Sequence, residues 1–189
     1  MRPNWFIALP VPARDVGERL GAPPPGVRLI HPDDVHLTLA FLGAVDEEKA
    51  RAAWAERRLL APLGPAQPVS FGRVVGLGNP RHPSALSAHV VAGEAELCDA
   101  IARVRDAMHD AAGVARERRA PLPHITLAHI RRSATAGERK NALAWADALD
   151  LGGLAAVVER VALFTWSENR SERQFRAVEL DVLPGDQPA

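Results

Sequence analysis

The sequence has a single cysteine, no excess of charge of either sign and no long apolar run, and each absence excludes a class of protein. The lone Cys98 excludes an internal disulfide framework and a multi-cysteine metal site, and it suits a reducing compartment. With 23 basic and 23 acidic residues, the formal net charge is zero, whereas proteins that coat long polyanions owe their affinity to a large positive excess. A local cluster that binds one or two phosphates is compatible with this composition.

No apolar run approaches the roughly 18 residues of a membrane span, and no signal-peptide pattern is visible. We therefore expect a cytoplasmic protein that does not contact membranes. A length of 189 residues with 47% hydrophobic residues is sufficient for a sizeable core. Because no long linker or low-complexity segment divides the chain, we expect residues 1–189 to form a single domain.

Hydrophobic periodicity and turn residues predict an α+β layout. Helices are predicted over residues 12–20, 46–60, 94–112 and 137–150. Strands are predicted over residues 5–9, 36–43, 69–75, 85–91, 157–166 and 175–183, with a further strand from residue 124. Residues 76–83 are predicted to form a long hairpin loop between two of these strands.

One five-residue pattern occurs twice, at residues 36–40 (HLTLA) and 124–128 (HITLA). Each copy is typical of a short β-strand, in which side chains point alternately to opposite faces. Strict alternation predicts that the histidine, threonine and alanine of each copy share one face. The aliphatic residues, together with Phe41, then take the opposite face and can enter a core.

The repetition is too specific to be accidental. Seven histidines and four threonines placed at random would give ~0.15 pairs with this spacing, yet His36-x-Thr38 and His124-x-Thr126 both occur. The two histidines are 88 residues apart, close to half the chain. The simplest arrangement is a bilobal fold in which each lobe contributes one motif strand to a shared central cleft.

Two histidines that face each other across a cleft can divide acid and base catalysis between them. A neutral imidazole takes a proton from water or a hydroxyl, and a protonated one gives a proton to a leaving oxygen. This chemistry suits displacement at phosphorus, where neighbouring threonine hydroxyls can stabilise the changing charge on phosphate oxygens. A two-histidine metal site is less favoured, because no third ligand has a recognisable spacing. The remaining histidines, His31, His82, His89 and His109, are predicted to be surface or loop residues.

The chain resembles the 2H phosphoesterase superfamily, and within it the RNA 2′,3′-cyclic phosphodiesterases, also named 2′-5′ RNA ligases. The resemblance is carried by residues 36–43 (HLTLAFLG), residues 123–128 (PHITLA) and the opening strand, residues 5–9 (WFIAL). It implies a bilobal, pseudo-twofold α+β fold with two antiparallel sheets flanked by helices and a central cleft. It also implies opening of a 2′,3′-cyclic phosphate to a 2′-phosphomonoester without a metal or another cofactor.

By position, the resemblance assigns His36 as the acid on the leaving 3′ oxygen and His124 as the base on water. Thr38 and Thr126 would hold the phosphate. The family often has an arginine five residues after the second histidine, where this chain has His129. Protonated His129, Arg131 or Arg132 could supply the missing charge at the substrate.

The implied partners are RNA ends or oligonucleotides that carry a 2′,3′-cyclic phosphate, and the protein is expected to act as a monomer. One alternative activity at the same site is the reverse reaction, ligation through a 2′-5′ linkage. An alternative of another class is a non-catalytic nucleotide- or RNA-binding module that keeps the phosphate site.

Overall fold

The computed structural model describes residues 2–185. The strands are β1 (Trp5–Pro10), β2 (Val27–Leu29), β3 (His36–Gly43), β4 (Gln67–Asn79), β5 (His82–Val90), β6 (His124–Ile130), β7 (Ala155–Val158), β8 (Arg160–Trp166) and β9 (Phe175–Val182). The α-helices are α1 (Arg14–Leu20), α2 (Glu47–Ala55), α3 (Glu94–Ala112) and α4 (Ala136–Ala148). Two 3-10 helices cover Pro32–Asp34 and Glu56–Leu63.

The strands form an antiparallel array in the order β7-β4-β5-β6-β3-β1-β8-β9, and β2 pairs with the free edge of β6. Both motif strands, β3 and β6, lie at the centre of this order. Within the described residues they pair at one position, Leu37 with Ile125. All nine strands are thus connected, and this pair at the motif strands joins the two antiparallel halves of the array, which we call the two sheets.

The helices cover the apolar face of these sheets. Helix α3 packs against β3 and α2, and α4 packs against β4. Along α3, buried side chains recur at helical spacing and the helix ends at Gly113 with a φ of 66°, a left-handed conformation that favours glycine. The predicted α+β fold with two antiparallel sheets flanked by helices is confirmed. Among residues 2–185, no helix is both long and apolar enough to cross a membrane.

The first motif strand contains a β-bulge at Leu39. Two neighbouring residues of β1, Ile7 and Ala8, pair with Ala40 and Thr38, which are two positions apart. The extra residue reverses the alternation of side chains from that point onward.

The second motif strand contains a bulge at the equivalent position, Leu127. Two neighbouring residues of β5, Leu86 and Ser87, pair with Ala128 and Thr126. The two copies of the motif therefore share their irregularity as well as their sequence.

These bulges correct the face assignment made from strict alternation. Ala40 and Ala128 lie in the core with 1% and 0% exposure, instead of sharing a face with the histidines. The residue five positions after each histidine, Phe41 or His129, turns to the histidine face. Phe41 is accordingly 57% exposed.

The hairpin between the motifs is longer than predicted. β4 and β5 remain paired as far as Asn79 and His82, so residues 76–83 are mostly strand and not loop. The glycine and proline residues that suggested a loop are accommodated by a register shift beside Gly78, which has a φ of +104°.

Two other predicted boundaries are wrong, and one short strand was not predicted. The predicted strand over residues 157–166 is divided into β7 and β8 by Glu159. The predicted helix over residues 46–60 ends at Ala55 and continues as a 3-10 helix that contains Pro62, a residue that an α-helix interior does not tolerate. The short strand β2 was not predicted, because it has only three residues between two proline-containing segments.

Candidate active site

The pairing of the two motif strands sets the geometry of the site. Leu37 and Ile125 face each other in the antiparallel ladder, and each directly follows a motif histidine. Continuing this register by one residue in each direction places His36 across from Thr126. The same step places Thr38 across from His124. The structure thus brings both His-x-Thr pairs to one groove, on the face opposite the buried aliphatic residues.

Both motif histidines are held in the same orientation by the backbone. Nδ1 of His36 lies 2.6 Å from the carbonyl oxygen of Asp34, and Nδ1 of His124 lies 2.7 Å from the carbonyl oxygen of Leu122. A carbonyl can only accept, so each Nδ1–H donates. In the neutral form, each Nε2 then carries the lone pair, and in the protonated form each Nε2 carries the acidic proton.

His36 lies against an aromatic cluster. Its ring centroid is 4.8 Å from that of Phe6 and 5.7 Å from those of Phe164 and Phe175. Burial against these rings lowers the pKa of His36 below its ordinary value, since the charged form loses solvation. The backbone carbonyl and the carboxylate of Asp34 oppose this shift, and the nearby His124 adds to it.

His124 has a more polar neighbour, His89, which is its partner in the ladder between β5 and β6. Residues that face each other in an antiparallel pair lie on the same side of the sheet, so the two imidazoles are neighbours. Burial lowers the pKa of His124, the hydrogen bond to Leu122 opposes this effect, and the charge of His89 lowers the pKa further.

The two motif threonines have different surroundings. The hydroxyl of Thr126 lies 3.2 Å from that of Ser87, a fully buried residue on β5. Thr38 pairs with Ala8 and is exposed to solvent. The hydroxyl of Thr126 is thus oriented by a neighbour, whereas that of Thr38 points freely into the groove.

Asp34 is a structural support for the site that sequence reasoning missed. Its carboxylate is 1% exposed and accepts hydrogen bonds from the backbone N–H of Gln174 at 2.7 Å and from Nε of Arg173 at 3.0 Å. These bonds attach the β8–β9 loop, residues 167–174, to the turn that precedes His36. Nothing in the local sequence indicates this role, because the partners of Asp34 are about 140 residues away in sequence.

Two of the other histidines are not at the surface as predicted. His109 on α3 is 3% exposed, and its Nδ1 accepts a hydrogen bond from the backbone N–H of Glu117. His89 is half-buried on β5, and its Nε2 is buried with no hydrogen-bond partner. His31 and His82 are exposed, as expected. Within residues 2–185, no three potential metal ligands are close enough together to hold an ion.

The three candidates for the missing arginine lie at the far end of β6. Nδ1 of His129 is 3.2 Å from the carbonyl oxygen of Ser84, so this ring leans toward β5. Arg131 and Arg132 are exposed in the turn after the strand, and the carbonyl oxygens of both accept hydrogen bonds from Arg139. The structure therefore places all three beyond the histidines and threonines, at one end of the groove.

A cavity of about 630 Å³ adjoins the aromatic side of the site. Phe164, which contacts His36, forms part of its wall. The cavity is also lined by Pro10, Ala177, Leu180, Arg160 and Arg173, among others. Its size lies within the range of small-molecule sites, and its lining combines apolar groups with charged groups of both signs, since Asp33 and Glu159 also line it.

Two solved bacterial structures have the same fold. A structure from Thermus thermophilus superimposes with a TM-score of 0.70 at 23% identity, covering 97% of this chain and 100% of that one. The Escherichia coli LigT structure in complex with 3′-AMP gives a TM-score of 0.66 at 21% identity, covering 96% and 99%. At these identities the likeness establishes the fold.

The sequence comparisons establish the family. The RNA 2′,3′-cyclic phosphodiesterase of Bacillus subtilis (strain 168) is 32% identical over 139 residues, which are 68% of this chain and 72% of that protein. The model of the 2′-5′ RNA ligase superfamily matches residues 24–170, a range that includes both His-x-Thr motifs. The chain therefore belongs to the 2′-5′ RNA ligase superfamily, a group of 2H phosphoesterases.

Proposed function

We propose that this protein is a metal-independent RNA 2′,3′-cyclic phosphodiesterase. It opens the cyclic phosphate at an RNA end to a 2′-phosphomonoester, with His36 and His124 as acid and base. It acts as a monomer and uses no cofactor. Membership of the superfamily and the name of the Bacillus subtilis relative support this substrate class.

The observation that carries the proposal is the matched orientation of the two histidines. Each donates its Nδ1–H to the carbonyl two residues earlier, which leaves Nε2 as the reactive atom in both rings. Two such nitrogens on one face of the array can act on opposite sides of a phosphorus atom. In-line displacement requires this arrangement, because the attacking and leaving oxygens lie on opposite sides.

We assign His36 as the acid and His124 as the base from their positions in the two motifs. Burial lowers the pKa of both histidines; Asp34 opposes this effect at His36, and the charge of His89 adds to it at His124. In the reaction, Nε2 of His124 takes a proton from water, whose oxygen attacks phosphorus. The bond from phosphorus to the 3′ oxygen breaks, and Nε2–H of His36 protonates that oxygen.

The threonines act on the phosphate itself in this proposal. The hydroxyls of Thr38 and Thr126 donate hydrogen bonds to the non-bridging oxygens, whose charge changes in the transition state. The contact between Ser87 and Thr126 holds one of these donors in place before the substrate binds. The cavity beside Phe164 offers space for the nucleoside that carries the cyclic phosphate.

The test is hydrolysis of a dinucleotide 2′,3′-cyclic phosphate in excess EDTA, with the products identified by ³¹P NMR. We expect the 2′-phosphomonoester and no loss of rate on chelation. A 3′-phosphomonoester as the main product would contradict the assigned roles. Loss of activity in EDTA that zinc, manganese or magnesium restores would contradict the metal-free mechanism.

The same assay separates the alternative functions. A non-catalytic RNA-binding module would saturate with the cyclic dinucleotide and release no product. The ligase reaction competes with water at about 55 M, so hydrolysis should dominate unless both RNA ends are held together. The ligase function would be favoured if, at equal concentrations of the two strands, the RNA ends were joined faster than the cyclic phosphate was hydrolysed.

A further inference from the structure

A basic side chain lies at the edge of β6, where β2 pairs with it. In this ladder Arg28 faces His129, while Val27 and Leu29 face Ile130 and Ala128. Val27, Ile130 and Ala128 are buried in the core. Since residues that face each other share one side of an antiparallel pair, Arg28 lies on the same side as His129.

The bulge at Leu127 decides which side that is. Because this extra residue reverses the alternation in β6, His129 lies on the face that carries His124 and Thr126. Arg28 therefore projects from the groove face. Without the bulge, both Arg28 and His129 would face the core.

The guanidinium group of Arg28 is held in place but remains available for binding. Its Nη2 donates a hydrogen bond to the carbonyl oxygen of Arg170 at 3.1 Å, in the β8–β9 loop. The side chain is nevertheless exposed. A guanidinium has five N–H donors in a planar fork, so donors remain for a phosphate.

The other basic groups at this end of the groove are less suitable for binding a phosphate. Nδ1–H of His129 is engaged with the carbonyl of Ser84, so its Nε2 accepts hydrogen bonds while the ring is neutral. Arg131 and Arg132 lie beyond the end of β6, in a turn in which the backbone N–H of Ala134 donates to the carbonyl of Arg131. Of these four groups, it is Arg28 that combines a permanent charge with a place on a strand of the array.

The distance along the strand indicates which phosphate Arg28 can reach. On β5, which has no extra residue here, Thr126 and His129 face Ser87 and Ala85, so the two positions are roughly 7 Å apart at about 3.3 Å per residue. A guanidinium at this position is displaced from the cyclic phosphate between the histidines, and it suits the next phosphate along the RNA chain. We propose that Arg28 binds the internal phosphodiester next to the cyclic end, so that the enzyme prefers oligonucleotides to mononucleotides.

This inference rests on the proposed function for the identity of the reacting end, and binding measurements test it independently of turnover. The probes are the reaction products, a dinucleotide and a mononucleotide that each carry a terminal 2′-phosphate. Arg28→Gln should weaken dinucleotide binding by about 10-fold or more, the scale of one charge-assisted hydrogen bond, and leave mononucleotide binding unchanged. The slope of log Kd against log salt should fall by about one for the dinucleotide only.

Two further variants make the test specific. Arg103→Gln removes an exposed arginine from α3, on the other side of the sheet, and should change neither Kd. In the Arg28→Gln background, His129→Arg should restore dinucleotide binding, because it returns a guanidinium to the facing position of the ladder.

Equal losses for both probes would show that Arg28 acts on the terminal phosphate or on the fold, and would overturn the inference. The inference would also be overturned if Arg131→Gln or Arg132→Gln weakened binding of the dinucleotide alone and Arg28→Gln did not. If wild-type protein binds both probes with the predicted difference but turns over no cyclic substrate, the proposed function fails and this inference stands.

Discussion

Leu37 and Ile125 form the single backbone pair that joins β3 to β6 within the described residues, and each directly follows a motif histidine. Both side chains are buried, at 1% and 0% exposure, in the core that α3 covers. The packing that fixes this pair therefore also fixes the separation of His36 and His124. In this way the groove is a consequence of how the two sheets meet.

The first prediction concerns Asp34. Asp34→Ala should lower the free energy of unfolding by about 2–3 kcal/mol, because it removes the buried carboxylate that accepts hydrogen bonds from the N–H of Gln174 and from Nε of Arg173. Urea denaturation measures the change. The matched control is Asp33→Ala, which removes an exposed carboxylate 3.9 Å from Arg173 and should leave stability close to wild type. Equal effects in both variants would show that the buried carboxylate is not a structural support.

The second prediction concerns the dependence of rate on pH. The base must be neutral, so activity rises as pH rises through its pKa. The acid must be protonated, so activity falls as pH rises through its pKa. Because burial lowers the pKa of both His36 and His124, both limbs of the bell-shaped profile move to lower pH. We expect kcat/KM to peak below about 6.5, the ordinary pKa of histidine. A maximum well above that value would contradict this electrostatic account.

The third prediction concerns His89. Its charge contributes to the lowered pKa of His124, after burial, so His89→Asn should raise the pKa of His124. NMR titration of the His124 imidazole measures this directly, and the limb of the rate profile that belongs to His124 should move to higher pH with it. Stability should change little, since the buried Nε2 of His89 has no hydrogen-bond partner.

His82→Asn is the matched control for this experiment. His82 lies on the same strand, but it is exposed near the turn of the hairpin, far from the ladder position of His124. The His82→Asn variant should leave the titration of His124 unchanged. If His89→Asn also leaves the pKa unchanged, or lowers it, the proposed coupling between the two imidazoles is absent.

The repeated motif made the centre of the fold predictable from sequence. Two strands with the same pattern, half a chain apart, implied two related lobes that share a cleft, and β3 and β6 do meet at the centre of the array. The helix over residues 94–112 was also predictable, because its apolar spacing and Gly113 are local signals. Such features depend on residues that are close together in sequence.

The bulges at Leu39 and Leu127 could not be derived from their own strands. A bulge is a mismatch in register between two strands, and the partner residues here are in β1 and β5. Strict alternation consequently predicts the wrong face for Ala40. The contribution of Arg28 was hidden for the same reason, because its side is set by the register of β2 against the bulged β6.

Long-range polar contacts were equally invisible in the sequence. Asp34 and its partners in the β8–β9 loop are about 140 residues apart, and His89 becomes a neighbour of His124 only when β5 pairs with β6. Neither contact has a local sequence signature. The chemistry of the motif could therefore be predicted, whereas the groups that adjust its pKa values required the structure.

The most direct test of the two-histidine mechanism is a double-mutant cycle on turnover of a dinucleotide 2′,3′-cyclic phosphate. His36→Ala and His124→Ala should each reduce kcat by at least ~100-fold, the scale of losing a positioned acid or base. Circular dichroism should show that all variants are folded. The double variant should lose little more than either single variant, because the two groups act in one step. Near wild-type turnover in either single variant, or a double-variant loss equal to the product of the two, would contradict the mechanism.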